Sequence, residues 1–180
     1  SGMEKRLKDF EIAFSGLKLG EHQFDFQIDA TFFEAFDYQD FEKADLQAKM
    51  NLLKRETQMA LHLELEGKVW VPCDLTNEMF WLPLSAEAEV MVKFGDDFDD
   101  SEEDLLILPH GEHRFNVAQY FYEMAVLAKP LKVVHPDVEA GKMGQEILER
   151  LEALSPEEHS NEEQSEDTDP RWDKLKDLLN

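Results

Sequence analysis

The chain has 180 residues, an apolar share of 42% and a formal net charge of −23. That length bounds it to one domain, or one domain with tails, and thirteen Phe supply a real core. The acidity argues against a general phosphate binder, whose affinity comes from Lys and Arg displacing counterions, and a single cysteine excludes an intrachain disulfide framework and fits a reducing compartment.

The predicted elements follow from period. Ser1-Gly2 ahead of Met3 reads as a cloning remnant. Lys5, Arg6 and Lys8 lead into an alternating segment, not the apolar stretch of a signal peptide. Phe10, Ile12 and Phe14 alternate with polar or small residues and predict a strand. A loop bracketed by Gly16 and Gly20 joins it to Phe24, Phe26 and Ile28, giving a hairpin with one greasy face. Thr31 to Phe36 breaks the alternation and reads as a loop or one helical turn. Leu46, Ala48, Met50 and Leu52 form one alternating set, and Met59, Leu61, Leu63 and Leu65 another. Leu and Met favour helix, yet four clean alternations on each side outweigh weak propensities. Gly67 predicts a bulge or tight bend. Val69-Trp70-Val71 is strand, Pro72 belongs at a strand end, and Asp74, Thr76 and Asn77 are turn formers. Met79 to Leu82 and then Ala86 to Phe94 resume strand. About six strands joined by short turns predict an antiparallel sheet with one wet face.

Two segments carry most of the charge. Residues 96–104 and 155–169 hold seven acids each and no base, and setting those fourteen aside leaves 27 acids against 18 bases, a net of −9. Leu105 to Leu108 reads as a buried strand. Asn116 is the expected N-cap, with Gln119 in the reciprocal capping-box position, of a helix whose stripe runs from Val117 to Ala128 and stops before Pro130. Ile147, Leu148, Leu151 and Leu154 predict a short amphipathic helix. Residues 155–168 contain no apolar side chain and read as disordered. Asp169-Pro170 opens a terminal docking helix with Trp172, Leu175, Leu178 and Leu179 on one face. No run of 18 apolar residues predicts a membrane span.

Little in the chain points to chemistry. Cys73 lacks a partner at position 76, which is Thr76, so it reads as a buried structural thiol and not a zinc ligand. His110-Gly111-Glu112-His113 has metal-site spacing but sits in a loop, with His135 as a third ligand only if the fold brings it close. A calcium loop starting at Asp97 fails, because the required glycine falls at Glu102 and the bidentate Glu at Leu108. The acidic run therefore reads as a solvated, mobile loop, with contact to a basic partner as the second reading. There is no phosphate-binding glycine loop and no nucleophile elbow.

Three stretches in matching order resemble one family. Gly67-Lys68-Val69-Trp70-Val71-Pro72-Cys73-Asp74-Leu75-Thr76 resembles the Gly-x-Val-x-x-x-Cys-x-Arg-Cys-Leu signature of the YceD family, the large ribosomal RNA subunit accumulation proteins. Phe115-Asn116-Val117, then Glu123, Leu127, Pro130 and His135, is similar to that family's acidic helix followed by Leu-x-x-Pro-x-x-x-x-His. Asp169-Pro170-Arg171-Trp172-Asp173-Lys174-Leu175 is similar to its Asp-Pro-Arg-x-x-x-Leu ending. Leu75 and Thr76 stand where the signature has Arg and its second Cys, so any metal role of paired cysteines does not carry over. The resemblance implies a cytoplasmic bacterial protein needed for large-subunit rRNA to accumulate, and transfers no catalytic residue.

The expected fold is α+β: an antiparallel sheet or partly closed barrel of about six to eight strands, covered by one main helix. A core over 4–135, with its helix over 116–128, is followed by an acidic linker over 136–168 and a docking helix over 169–180. The expected function is non-enzymatic support of large-subunit rRNA accumulation, by binding a ribosomal protein or rRNA, with no cofactor and no metal. A basic protein surface suits the charge better than bare nucleic acid. The alternative is a generic acidic scaffold with a non-ribosomal basic partner. The candidate contacts are Asp97, Asp99, Asp100, Glu102, Glu103, Arg171 and Trp172, although Trp172 reads first as the anchor of its helix.

Overall fold

The computed structural model describes residues 7–139. The chain divides into two compact units, one of Ser1–Pro72 with Glu78–Val133 and the other of Cys73–Asn77 with Val134–Asn180. The first unit is built on an open six-stranded sheet. Its members are β2 (Gly20–Ile28), β3 (Lys43–Lys54), β4 (Gln58–Pro72), β5 (Met79–Gly95), β6 (Asp99–Glu102) and β7 (Leu105–Pro109), in spatial order β2-β3-β4-β5-β7-β6. The two-residue strands β1 (Glu11–Ile12) and β8 (Phe115–Asn116) pair with each other in a separate ribbon. The fold is α+β, and the sheet does not close into a barrel.

The alternation that predicts the strands also sets their register. Leu46, Ala48, Met50 and Leu52 lie opposite Gly67, Leu65, Leu63 and Leu61. All these leucines, Met50 and Ala48 are buried, so the period-2 pattern turns one complete face of β3 and β4 inward. That face is roofed by α2 (Ala118–Ala128), which buries Ala118, Phe121, Met124 and Ala125. An aromatic cluster seals one side: Phe10 stacks on Phe26 at 4.8 Å between ring centres, and Phe26 lies 5.6 Å from Phe121. Phe32, Phe33 and Phe36 extend the cluster from the short helix α1 (Ala30–Glu34), which Asp29 caps by accepting from the Thr31 N–H at 3.0 Å.

Five expectations need correction. Phe10 to Phe14 is not a strand paired with β2. It is two single 3-10 turns, Lys8–Phe10 and Phe14–Gly16, flanking β1, whose partner is β8. Its alternation records burial, since Phe10, Ile12 and Phe14 all enter the core, but the edge of β2 is taken by β3 instead. Gly67 makes no bulge, because β3 and β4 pair without a register shift through Leu46 and Gly67. Residues 79–94 form one strand, not two. Pro83 is tolerated because β5 pairs with β7 only over Met91–Gly95, leaving Pro83 with a strand on one side. The acidic run is not a plain loop, since it contains β6. The sheet is mixed, because β6 leaves a slot beside β5 that β7 fills in parallel.

The main helix starts at Ala118 with Val117 as N-cap. Asn116 works from one residue earlier than expected, accepting from the Ala118 N–H at 2.8 Å and donating to the Leu7 carbonyl at 2.9 Å. Gln119 bonds Glu123 and does not close a capping box. The helix ends at Ala128, with Lys129 extended before Pro130 as a residue preceding proline prefers. A four-residue helix, α3 (Pro136–Glu139), follows in the second unit. The expected helix near 147–154, the 155–168 linker and the docking helix at 169–180 lie outside the described residues. Among the described residues no helix is long and apolar enough to cross a membrane.

Candidate functional site

The acidic run becomes one wall of a cleft. β6 is the sheet's edge strand, all four of its residues are exposed, and only β7 pairs with it. Asp100 and Glu102 from β6 and Glu103 from the following turn face Glu123, which α2 presents from its exposed side. The cleft between them measures about 300 Å³ and is floored by Leu106, Leu108 and Phe115. Glu112 adds another carboxylate, and Arg114, the one base in the lining, is already paired with Glu11 at 3.1 Å. Asp97 and Asp99 do not line the cleft. Asp99 turns back on its own strand, accepting from the Ser101 N–H at 2.9 Å, and hydrogen bonds from the Ser101 side chain and backbone hold its carboxyl below the usual range.

Tyr120 also lines this cleft. Burial, reinforced by the negative charges of Asp100 and Glu123, pushes its hydroxyl up to about 12. The hydroxyl oxygen is buried and makes no hydrogen bond among the described residues. A second cleft of about 310 Å³ begins at the same place, sharing Glu103, Tyr120 and Glu123 with the first and running on along Ser85–Ala88 of β5 and Leu127 of α2. Sequence reasoning marks Asp100, Glu102, Glu103 and Glu123, but not Tyr120, whose place on the helical stripe reads as ordinary core.

In the second unit the structure brings two motif positions together. Cys73 is buried at 2% exposure, and its Sγ accepts from the His135 backbone N–H at 3.2 Å. The Cys73 carbonyl accepts from the Asn77 N–H at 2.8 Å, closing the turn in which Asn77 takes a positive φ of 63°. His135 Nδ1 in turn accepts from the Asp137 N–H at 3.0 Å. Burial raises the Cys73 thiol, but hydrogen bonds from Thr76, His135 and Leu75 outweigh it and leave the thiol below its ordinary value. This arrangement ties 73–77 to 134–137.

The histidines of the 110–113 turn stay exposed. His110 lies 4.0 Å from the Asp96 carboxylate, and the His113 N–H donates to Glu112. Among the described residues the one group with metal-ligand chemistry is elsewhere: His62, Glu64 and Glu87 offer ligand atoms within 4.8 Å of one another on the outer face of the sheet. Period 2 puts His62 and Glu64 on one face, and Glu87 lies opposite Glu64 across the β4–β5 ladder. A sequence reading that had fixed that register would have found the group. His62 already bridges two acids, with Nε2 3.2 Å from Glu64 and Nδ1 3.6 Å from Glu89. At the other end of the outer face Trp70 and Trp81 pair across the strands at 5.2 Å, with Lys43 and Lys68 over their rings. Arg171, Trp172, Asp169 and Pro170 lie outside the described residues.

No curated protein and no solved structure matches the chain. Residues 61–179, about two thirds of the sequence, match the family described as large ribosomal RNA subunit accumulation protein YceD. That span contains most of β4 with Gly67, then Cys73, the acidic cleft, α2 and His135, and the chain belongs to the YceD family.

Proposed function

We propose that this chain is a non-enzymatic ribosome-biogenesis factor that supports the accumulation of large-subunit ribosomal RNA by binding a basic ribosomal protein. The family match over 61–179 carries the reading at the level of ribosome biogenesis. The choice of a basic protein over bare rRNA rests on charge. A chain at −23 meets a phosphate backbone with repulsion, whereas it attracts and steers a Lys- and Arg-rich partner. Binding through charge complementarity needs no proton transfer or nucleophile, so the reading assigns no catalytic residue. It places the protein in the cytoplasm of a bacterium, where ribosomes are assembled.

The test joins a genetic and a biochemical measurement. Deletion of the gene is expected to lower the ratio of large- to small-subunit rRNA, and expression of the full chain is expected to restore it. Affinity capture from lysate, read for ribosomal proteins and for rRNA separately, is expected to recover a basic ribosomal protein that survives nuclease treatment. An unchanged rRNA ratio together with recovery of neither class rejects the proposal. Capture of a single basic protein unrelated to ribosomes would select the generic acidic scaffold instead.

A further inference from the structure

We infer that the acidic cleft beside α2 takes an extended Lys- and Arg-rich segment of a protein, with Asp100, Glu102, Glu103 and Glu123 as its charge partners. The inference rests on the reading of this chain as a binder of basic protein, and it specifies where the contact lies and what form it takes.

Acidic side chains alone would mark only a solvated face. Here they rim a concave surface whose floor is apolar, Leu106, Leu108 and Phe115, while the carboxylates stand at its edges. Lys and Arg are the side chains that match both parts, since their methylene stems cover apolar surface while the charged heads reach the rim. Arg114 does not neutralise the rim, being held by Glu11. Tyr120 lines both clefts and joins them. The second cleft gives the segment its extended form. It follows Ser85–Ala88 of β5, beyond the Met91–Gly95 stretch that β7 covers, where the outer edge of β5 has no strand partner among the described residues. A strand edge of this kind receives an extended peptide through main-chain hydrogen bonds.

The probe is a fluorescein-labelled peptide alternating Lys and Arg with Ala, titrated with the full chain and read by fluorescence anisotropy. Binding is expected to weaken steeply as salt rises from about 50 to about 150 mM, where screening shortens to about 8 Å. The triple variant Asp100→Asn/Glu103→Gln/Glu123→Gln is expected to lose about tenfold in affinity, each rim pair contributing a fraction of that. The control Asp25→Asn/Glu64→Gln/Glu66→Gln removes the same charge from β2 and β4, on the outer face of the sheet and away from both clefts, and is expected to change affinity less than about twofold. Equal losses in the two triple variants would reduce the effect to net charge and overturn the inference. So would absence of peptide binding, or displacement of the probe by a peptide of residues 169–180 of this chain. In the deletion strain, full restoration of rRNA by the cleft variant would overturn a biological role for the cleft while leaving the family-level reading intact. A deletion with normal rRNA would sink that reading instead, without touching the anisotropy result.

Discussion

Gly67 is the position where one added methyl group should do most damage. A Cβ built there would lie 2.2 Å from the Asp45 carbonyl oxygen and 2.8 Å from the Leu46 Cα, both main-chain atoms of β3. Ordinary contact begins at 3.4 Å, so the overlap with the carbonyl oxygen is about 1.2 Å. A side chain could rotate away from such a clash, but these atoms are fixed by the ladder in which Leu46 faces Gly67. β3 is held from its far side by β2, and β4 by β5, so neither strand can step back alone. Gly67 also takes φ +151°, which an L side chain resists. Strain of about 1–3 kcal/mol and overpacking of about 1–3 kcal/mol give about 2–6 kcal/mol for Gly67→Ala. That is a large part of the roughly 5–15 kcal/mol that holds a domain together. Urea unfolding of both proteins measures the loss, with Gly16→Ala as control. No atom lies within 4 Å of a Cβ at Gly16, and that change should fall within about 1 kcal/mol of wild type. A Gly67→Ala protein within about 1 kcal/mol of wild type, with the same denaturant slope, would refute the close approach of β3 and β4 at this point.

Cys73→Ala removes the buried acceptor of the His135 N–H and should cost about 1–3 kcal/mol in urea unfolding. The native thiol should react slowly with a disulfide reagent because it is 2% exposed, and a native rate equal to the unfolded rate would contradict the burial. Asn116→Ala should cost about 0.5–2 kcal/mol by releasing the Ala118 N–H, with Asn116→Asp in between because it keeps the acceptor but loses the bond to Leu7. Burial, then the charge and hydrogen bond of Asp40, pushes the Tyr38 hydroxyl up to about 12, matching Tyr120. A raised phenol favours the folded state below the unfolded value near 10 and loses that contribution as pH climbs toward 12. Stability should therefore fall between those limits, and tyrosinate absorbance of the folded protein should rise late. Tyr120→Phe should remove part of that late step.

Much of the scaffold was legible from side-chain period. The runs 46–52 and 59–65 are strands despite their helix-forming leucines, because alternation matters wherever one face is buried. The same rule misled at Phe10 to Phe14. Period 2 reports which side chains enter the core, and says nothing of which strand lies alongside. Residues 79–82 and 86–94 read as separate runs, yet Pro83 sits within one strand because its missing N–H matters only where a neighbour needs it, and neighbours are a tertiary fact. The acids of 96–104 were legible as a solvated charge run, but the cleft they line was not. Its other wall, Glu123 and Tyr120, comes from a helix some twenty residues downstream, and its floor from β7 and β8. Cys73 and His135 were both marked by resemblance, yet their meeting spans 62 residues of chain and left no local sign.

The placement of charge on β6 is informative because it works against the strand. Asp is a poor strand former, and Asp99, Asp100 and Glu102 crowd like charge onto four exposed residues paired with one neighbour. Guarding an open edge against unwanted strand addition is one use of such charge, and lysine would serve that purpose as well or better. Edge protection therefore explains why β6 is charged, but not why the charge is all negative, nor why Glu123 on a separate helix faces the same cleft. The basic occupant we propose would account for the sign. A cleft that carries carboxylates on both walls and hydrocarbon on its floor discriminates between partners by repelling acidic ones and accepting long basic side chains. The cost appears as self-repulsion in the free protein, and it is offset when cations enter. On the proposed reading the acids of 96–104 serve binding at one edge of the sheet, while the leucine-lined inner face carries the stability that lets that edge be so unfavourable on its own.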